Sequence, residues 1–333
     1  MTKDIDVIMA NYNHANTIGV AVEAILSQSY KPNKILIIDD ASTDNSLEVL
    51  YQLQNQNSNI EVIKNELNLG PTRCYEMGLQ KIQSQFFYLA AADDIIMPKF
   101  FEYSINALEK FPQVAFSICE VLVTDLDSGK KSIRPIIRPK TRNNLINPEL
   151  AQTEFLSNEN WILTGTAIFR KKYISDYILN ESLGPFSDSF IAKQLVFKYG
   201  CVFLPYVGLN WRIDNSGYSR LLYSSVNYYK EKKKLLEKAI LSSSVFPSWY
   251  WLKYEKRLDF NAIRIVLNSK EINLAMCENL MSKIEYSIFV RLKRFPKFNK
   301  TVILGFAFFR LRPFSMLRYI LNLMNSQKIL HGH

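Results

Sequence analysis

The sequence predicts an α/β fold: a mostly parallel sheet flanked by helices, followed by a C-terminal α-helical region. Short apolar, β-branched runs alternate with longer amphipathic stretches over residues 1–100, a pattern typical of repeated βα units. Beyond residue 221 glycine is almost absent, and Leu, Lys, Ile and Tyr recur at helical spacing. A chain of 333 residues exceeds one average domain, so we expect two units, at 1–220 and 221–333.

The N-terminal elements follow in order from this alternation. Strands are predicted at four apolar runs, near 5–10, 34–38, 60–64 and 86–90. Crossover helices are predicted at the amphipathic stretches between them, 15–29, 43–56 and 71–83. Ser42 or Thr43 is a suitable N-cap for the second helix, and Pro71 fits the first turn of the third.

The alternation loosens beyond the fourth strand. Helices are predicted over 98–110 and 188–199, and short strands over 114–118, 121–124 and 161–170. A strand pair broken at Pro205 is predicted over 201–211. The polar segment 130–147 contains two Arg-Pro pairs and is predicted to be a loop that closes over a substrate.

Cysteine spacing and the distribution of apolar residues argue against a cysteine-ligated metal site, a secretory signal and a membrane-spanning helix. Charge is distributed unevenly along the chain. The net charge of +10 is uneven, since residues 1–220 carry 21 Lys and Arg against 24 acids, and residues 221–333 carry 20 against 7. The four cysteines lack metal-ligand spacing, so we expect free thiols in a reducing cytoplasm. No secretory signal pattern precedes the first strand, and the longest apolar run, 302–309, is too short to span a membrane.

Two pairs of acidic residues follow predicted strands at the point where each strand ends. Asp39 and Asp40 follow the second strand, and Asp93 and Asp94 follow the fourth. In open α/β sheets ligands bind at the carboxyl ends of the strands, so the two pairs are expected to converge there. A single pair is more simply a helix cap or a solvated turn. Two converging pairs repel each other and predict a divalent cation, Mg²⁺ or Mn²⁺, shared with a substrate diphosphate.

These motifs give the first two-thirds of the chain a resemblance to the family 2 glycosyltransferases of the GT-A fold. The resemblance rests on five segments in family order: 7–13, 26–30, 37–44, 68–70 and 92–94. It implies a nucleotide-sugar donor. The family usually has a third aspartate two positions before the second acid pair, where this chain has Ala91.

The resemblance also implies roles for individual donor-side residues. Ala10, Tyr12 and Asn13 would line the nucleotide pocket, with Tyr12 against the base. Asp40, or alternatively Asp39, would bind uracil or thymine. Asp94 would be the metal ligand and Asp93 its neighbour at the nucleotide sugar. Separately, the guanidinium of Arg73 suits contact with the base or a phosphate, although a solvated helix position explains it equally well.

On the acceptor side the resemblance points to Asp188 as the catalytic base. Asp188 opens a predicted helix, and Ser187 replaces the acid that usually precedes it. A plain N-cap is the alternative role, with Glu181 and Asp214 as reserve bases. Trp161, Thr164 and Trp211 match segments that line the acceptor side or close the domain. The implied reaction inverts the anomeric configuration in a single displacement.

The basic tail suggests where the enzyme works. Between Lys283 and Lys328 it has ten Lys and Arg residues and one acid, Glu285, interleaved with aromatic residues. This mixture is typical of a segment lying on an anionic membrane surface, here the inner face of the plasma membrane, and it predicts a lipid-linked bacterial glycan as acceptor. A helical cap is the alternative for the tail, and no nucleic-acid-binding motif is present. An inactive nucleotide-sugar-binding relative and a nucleotidyltransferase are the alternative functions.

Overall fold

The structure is a computed structural model that describes residues 4–136, 138–141, 143–157, 161–174, 180–213, 217–268, 272–291 and 296–311. The chain forms two compact units. The first comprises Met1–Phe155 with Asn160–Asp214, and the second comprises Leu156–Glu159 with Asn215–His333. The main division therefore falls after residue 214, where the sequence predicts a boundary at 220.

One ten-stranded sheet organises the first unit. Its strands are β1 Ile5–Asn11, β2 Lys34–Asp39, β3 Ile60–Lys64, β4 Phe86–Ala91, β5 Ile95–Ile96, β6 Phe116–Asp125, β7 Lys131–Arg134, β8 Leu145–Ile146, β9 Ile168–Arg170 and β10 Cys201–Ile213. The main order is β3-β2-β1-β4-β9-β6-β10-β5, with β7 on β6 and β8 on β10. β1 to β4 pair in parallel, as does β6 with β10, whereas β9 runs antiparallel to both β4 and β6.

Helices cover both faces of this sheet. They are α1 Ile18–Leu26, α2 Ser46–Gln56, α3 Pro71–Lys81, α4 Phe100–Lys110, α5 Pro148–Ser157, α6 Lys171–Ile174 and α7 Ser187–Tyr199. The strand β1 is buried because it is central, and its side chains alternate between two helical layers. Val7 packs with Val22 of α1, whereas Ile8 meets Gly78 of α3 on the opposite face. The predicted α/β class is correct, because tightly spaced β-branched runs form these parallel strands.

Beyond residue 110 several sequence predictions are wrong. The two strands predicted over 114–124 form the single strand β6, and the pair predicted over 201–211 is the single strand β10. β10 accommodates Pro205 through register shifts between Leu204 and Leu209. The predicted loop 130–147 contains β7 and β8, and most of the strand predicted over 161–170 is a short 3₁₀ turn followed by β9.

The second unit is helical. It contains a 3₁₀ segment, Tyr218–Tyr223, and the helices α8 Val226–Ser242, α9 Tyr250–Asn268, α10 Leu274–Leu280, α11 Lys283–Arg291 and α12 Pro296–Leu311. The side chains of Ser282 and Glu285 cap the start of α11 reciprocally, and buried Glu285 pairs with Arg310 of α12 at 2.9 Å. The predicted helical C-terminal region is confirmed. Within the described residues, no helix has the length and apolarity needed to cross a membrane.

Candidate active site

The candidate residues gather at the carboxyl edge of the parallel strands. β4 and β6 are both antiparallel to β9, so they are parallel to each other, and β6 is parallel to β10. The carboxyl ends of β1, β2, β4, β6 and β10 therefore lie on one edge. This is the edge at which an open α/β sheet binds ligands.

Asp39 connects two loops at this edge through hydrogen bonds. Its fully buried carboxylate accepts hydrogen bonds from Asn11 Nδ2 at 2.8 Å and from the hydroxyl and backbone N–H of Ser42 at 2.6 and 3.0 Å. Ser42 Oγ in turn accepts from the backbone N–H of Asn13 at 3.0 Å. Asp39 thereby ties the turn after β1 to the turn after β2, and the predicted N-caps Ser42 and Thr43 are wrong because α2 begins only at Ser46.

Asn13 stabilises the same pair of turns from the other side. Its backbone is left-handed, with φ of 59°, and its side-chain oxygen accepts from the backbone N–H of Thr43 at 2.7 Å. Between Asn11 and Asn13, the Tyr12 side chain stays 44% exposed at the rim. Ala10, next to the last residue of β1, is half-buried and lies opposite Ile38 of β2 in the sheet. An exposed ring above two rigid turns is suited to stacking on a planar base.

Asp40 holds the third loop of the site. Its buried carboxylate accepts from Asn65 Nδ2 at 2.8 Å and from the backbone N–H groups of Leu69 and Gly70 at 2.9 and 2.7 Å. Gly70 has φ of 84°, a conformation that strains any residue with a Cβ. These contacts use three acceptor positions of Asp40, which leaves Oδ2 able to accept one more hydrogen bond.

Arg73 forms an ion pair within its own helix. Its guanidinium contacts Glu76, one turn further along α3, at 3.0 Å, and the side chain is 49% exposed. These contacts support the solvated helix position, and contact of Arg73 with a nucleotide stays a prediction.

Asp93 and Asp94 follow β4 and meet Arg212 of β10. Asp94 Oδ1 accepts from the backbone N–H of Arg212 at 3.0 Å, and Arg212 Nε donates to the main-chain carbonyl of Asp93. Burial, with the negative charge of Asp93, raises the pKa of Asp94 to about 8 despite the nearby guanidinium. Arg212 Nη2 is buried and has no hydrogen-bond partner among the residues that the structure describes. Sequence reasoning selected Trp211 and missed Arg212, because only the register of β10 decides which of the two faces the acids.

Tyr75 is a second residue that sequence reasoning missed. Its hydroxyl donates to the carbonyl of Ala90, near the end of β4, at 3.0 Å. Burial raises the pKa of Tyr75 far above its usual value, and the carboxylates of Asp188, Asp93 and Asp94 raise it further. The charges of both the donor-side acids and the predicted base thus act on the hydroxyl of Tyr75. No local sequence signal distinguishes it from an ordinary aromatic residue of an amphipathic helix.

Asp188 lies in the first turn of α7 with an exposed carboxylate. One oxygen accepts from the hydroxyl of Thr164, and the other accepts from the backbone N–H of Ser189 at 2.6 Å. Asp188 is therefore held in place yet open to solvent, as a base for an incoming hydroxyl must be. Thr164 and Asp188 are brought together although 24 residues separate them.

The remaining predicted acceptor-side residues lie in different environments. Trp161 is fully buried and packs on Phe155 with ring centroids 5.0 Å apart, so the prediction that its side chain faces an acceptor is wrong. Trp211 is 40% exposed on β10. Glu181 is exposed in a 3₁₀ turn, Glu181–Phe186, that precedes α7, and Asp214 lies outside the described residues.

The chemistry of the acid pair fits a divalent cation that is shared with phosphate. Among the described residues, no group of three or more His, Cys, Asp and Glu side chains is placed to hold a metal. Magnesium sites in enzymes commonly use only one or two carboxylates and complete their shell with substrate phosphates and water. Asp94 is poorly solvated and repelled by Asp93, so a cation would relieve the repulsion.

Comparisons with known proteins agree with this geometry. Residues 6–178, more than half of the chain, match the family described as Glycosyl transferase family 2. An uncharacterized glycosyltransferase of Haemophilus influenzae is 25% identical over 202 residues, covering 60% of this chain and 61% of that protein. The poly-beta-1,6-N-acetyl-D-glucosamine synthase of Staphylococcus epidermidis is 26% identical over 110 residues, covering 33% of this chain and 26% of that protein. The matched part of the chain thus spans less than two-thirds of the length of these relatives.

Two solved structures share the fold across both units. TarS 1–349 of S. aureus, in complex with UDP-GlcNAc, has a TM-score of 0.59 at 14% identity and covers 91% of each chain. A mannosyltransferase of Pyrobaculum calidifontis, in complex with GDP-Man and Mn²⁺, has a TM-score of 0.55 at 15% identity, covering 96% of this chain and 85% of that one. At this identity the likeness shows the fold alone.

Proposed function

The chain belongs to glycosyl transferase family 2, and on that premise we propose that it is a metal-dependent, inverting glycosyltransferase. It would move one sugar from a UDP- or dTDP-sugar to a hydroxyl group of a glycan. The observation that carries the proposal is that two separate carboxylate positions are held in place. Asp94 accepts from the backbone N–H of Arg212 beside Asp93, and the solvent-open Asp188 accepts from the hydroxyl of Thr164. Separate carboxylates for donor and acceptor are what a single displacement needs.

On the donor side, each proposed role follows from a contact. Tyr12 would stack on the base, and the remaining acceptor position of Asp40 Oδ2 would take a base N–H. Asp94, with Asp93 beside it, would hold Mn²⁺ or Mg²⁺, which supplies charge neutralisation for the diphosphate. The unpaired Nη2 of Arg212 would donate to a phosphate oxygen.

On the acceptor side, Asp188 would take the proton from the attacking hydroxyl. Its hydrogen bond from Thr164 fixes which oxygen faces the acceptor. The backbone N–H of Ser189 would hold the other carboxylate oxygen in place. General-base assistance of this kind contributes about 10²–10⁴-fold to the rate.

A panel of UDP-, dTDP- and GDP-sugars tests the proposal, with nucleotide release measured in the presence of mono- and oligosaccharide acceptors. We expect Asp188→Asn to lower turnover at least about 100-fold while donor affinity stays within about twofold, because the base acts in the transition state. Glu181→Gln is the matched control, since this exposed carboxylate lies in the 3₁₀ turn immediately before α7. Loss in Glu181→Gln alone would move the base there, and no release from any donor would support an inactive binding relative.

We also propose that the second unit associates with an anionic membrane surface at the inner face of the plasma membrane, so that the acceptor is lipid-linked. Within the described residues, α11 and α12 expose Ile284, Val290 and Phe306 at 69%, 51% and 47%, next to exposed Lys283 and Arg291. Exposed apolar groups beside cations are typical of interfacial helices. Residues 312–328 of the predicted membrane segment lie outside the described residues.

Vesicle sedimentation of the full chain tests this association. Replacing Ile284, Val290 and Phe306 by Ser should release the protein from vesicles that contain anionic lipid, because their insertion is lost. The matched control replaces Leu241 and Leu252 by Ser, two leucines of the same unit that are 63% and 62% exposed. Equal sedimentation of both variants, or binding that ignores lipid charge, would make the helices a structural cap.

A further inference from the structure

A strongly basic segment borders the acceptor side of the sheet. This basic arm, residues 130–141, consists of β7 and the chain that follows it. Its described cations are Lys130, Lys131, Arg134, Arg138 and Lys140. No Asp or Glu occurs from residue 128 to residue 148, although acids outnumber bases over residues 1–220. The arm is therefore positively charged within a part of the chain that is negatively charged as a whole.

The arm begins at the edge of the sheet that carries the candidate site. β7 pairs antiparallel with the carboxyl half of β6, with Lys131 opposite Thr124 and Arg134 opposite Val121. The carbonyl of Lys130 accepts from the backbone N–H of Asp125, the last residue of β6, at 2.9 Å. Lys130 and Lys131 consequently lie at the carboxyl edge of β6, which is also the edge of the donor-side acids.

A buried ion pair anchors the other end of the arm. Glu120 of β6 is 3% exposed, and its two oxygens accept from Nε and Nη2 of Arg138. The Arg138 side chain remains 59% exposed, so the guanidinium contacts Glu120 and still faces solvent. A bidentate pair of this kind fixes the orientation of both groups.

This anchor is connected to the predicted base through a short 3₁₀ turn. The hydroxyl of Thr166 donates to the carbonyl of Cys119 at 3.2 Å and accepts from its backbone N–H at 3.1 Å, one residue before Glu120. Thr164, two residues earlier in that turn, donates to Asp188. The turn thus contacts both the strand that carries Glu120 and the carboxylate of Asp188.

Three lysines of the arm are exposed, whereas Arg138 is paired with Glu120. Lys130, Lys131 and Lys140 are exposed, and none forms an ion pair with any acid among the residues that the structure describes. Lysine on an edge strand can simply block pairing with another chain. That role does not account for Arg138 or Lys140, which lie beyond β7, whereas clustered cations beside a site raise the local concentration of anionic substrate.

We infer that the basic arm binds an anionic acceptor, a glycan that carries negative charges along its chain, and brings one of its hydroxyls to Asp188. The inference rests on the proposed function, since it names the acceptor class of the same site. Lys130, Lys131 and Lys140 supply flexible cations for a series of negative charges, and the pair of Arg138 with Glu120 fixes the arm on the sheet. Recognition is through charge along the chain rather than through the reacting sugar.

Fluorescence anisotropy with a labelled synthetic glycerol-phosphate oligomer tests the inference on the full chain. The arm variant replaces Lys130, Lys131 and Lys140 by Gln, and the control variant replaces Lys230, Lys234 and Lys238, three exposed lysines of α8, by Gln. Both variants lose the same charge. We expect the arm variant to bind the oligomer about 10-fold more weakly, the control to bind like the wild type, and an uncharged maltooligosaccharide not to bind.

Three results would overturn the inference. They are equal affinity of wild type and arm variant, an equal loss in the control variant, or a loss that appears only with anionic vesicles, which would make the arm a membrane surface. Self-association of the arm variant with unchanged oligomer binding would assign the lysines to edge protection. Binding of nucleoside diphosphate, measured on the same samples, keeps the two proposals apart: if the wild type binds none, the proposed function fails independently of the arm.

Discussion

Arg212 lies beside both donor-side acids. Its backbone N–H donates to the carboxylate of Asp94, and its Nε donates to the main-chain carbonyl of Asp93. Its Nη2 is buried without a partner among the described residues, which is costly unless a ligand supplies one.

Arg212→Gln should therefore weaken binding of a nucleoside diphosphate about 10-fold or more and leave binding of the free nucleoside unchanged. Arg73→Gln is the matched control, because Arg73 pairs with Glu76 on its own helix. Calorimetric titration of both variants with the diphosphate and the nucleoside measures the effect. A loss of the same size for the free nucleoside would mean that Arg212 only supports the fold.

Asp94 makes the metal-free protein sensitive to pH. The usual pKa of an aspartate carboxyl, 3.8, applies in the unfolded chain. In the folded protein, burial and the negative charge of Asp93 raise the pKa of Asp94 to about 8. The folded state then binds the proton more tightly, so its stability falls as pH rises between these values and levels off above pH 8.

Asp94→Asn should remove this dependence and raise the free energy of unfolding at pH 8 by about 1–3 kcal/mol, at the expense of metal binding. Urea unfolding of the metal-free proteins across this pH range measures it. Asp44→Asn serves as the control, because hydrogen bonds from Ser46 and Ala15 outweigh burial and lower the pKa of Asp44. A stability of the Asp94→Asn protein that still falls with rising pH would assign the effect to another group.

At the scale of elements, α3 positions both Asp40's loop and Tyr75, and its packing on β1 depends on Gly78. A Cβ at residue 78 would overlap Cγ2 of Ile8, which is fully buried. Gly78→Ala should lower the free energy of unfolding by about 1–3 kcal/mol and weaken nucleotide binding as α3 shifts. Gly19→Ala in α1 is the matched control, since its Cβ meets nothing within 4 Å. That change should stabilise the fold by about 0.5–1 kcal/mol in the same denaturation experiment.

Sequence reasoning predicted best those elements that have one clear local signal, either a continuous apolar run or a helix-starting proline. β1 to β4 and α3 begin within one residue of their predicted positions, because central parallel strands are continuous apolar runs and Pro71 marks a helix start. α2 begins later than predicted, since the side chain of Ser42 binds Asp39 and the backbone of Asn13 instead of capping a helix. β10 continues through Pro205 by changing register, and such a change depends on its neighbour β6.

At the scale of the whole molecule, the sequence motifs predicted which strands end at the candidate site. They did not predict which side chains contact each other there. Asp188 and Thr164 are joined in the structure, as their shared side of the predicted site suggested. Trp161 matched the same stretch, yet it fills the core because the apolar residues of α5 and α7 enclose it. Tyr75 and Arg212 enter the site through long-range pairing of strands and helices, which leaves no local pattern in the sequence.

The proposed metal-dependent transfer depends most directly on a cation shared between Asp94 and a donor diphosphate. Titration calorimetry of UDP, dTDP and GDP, each with Mn²⁺ and with excess chelator, tests it on wild type and Asp94→Asn. We expect at least one diphosphate to bind the wild type at least about 10-fold more tightly with Mn²⁺, because the acid pair otherwise repels it, and the variant to show no such gain. Equal affinity of the wild type with Mn²⁺ and with chelator would contradict the account.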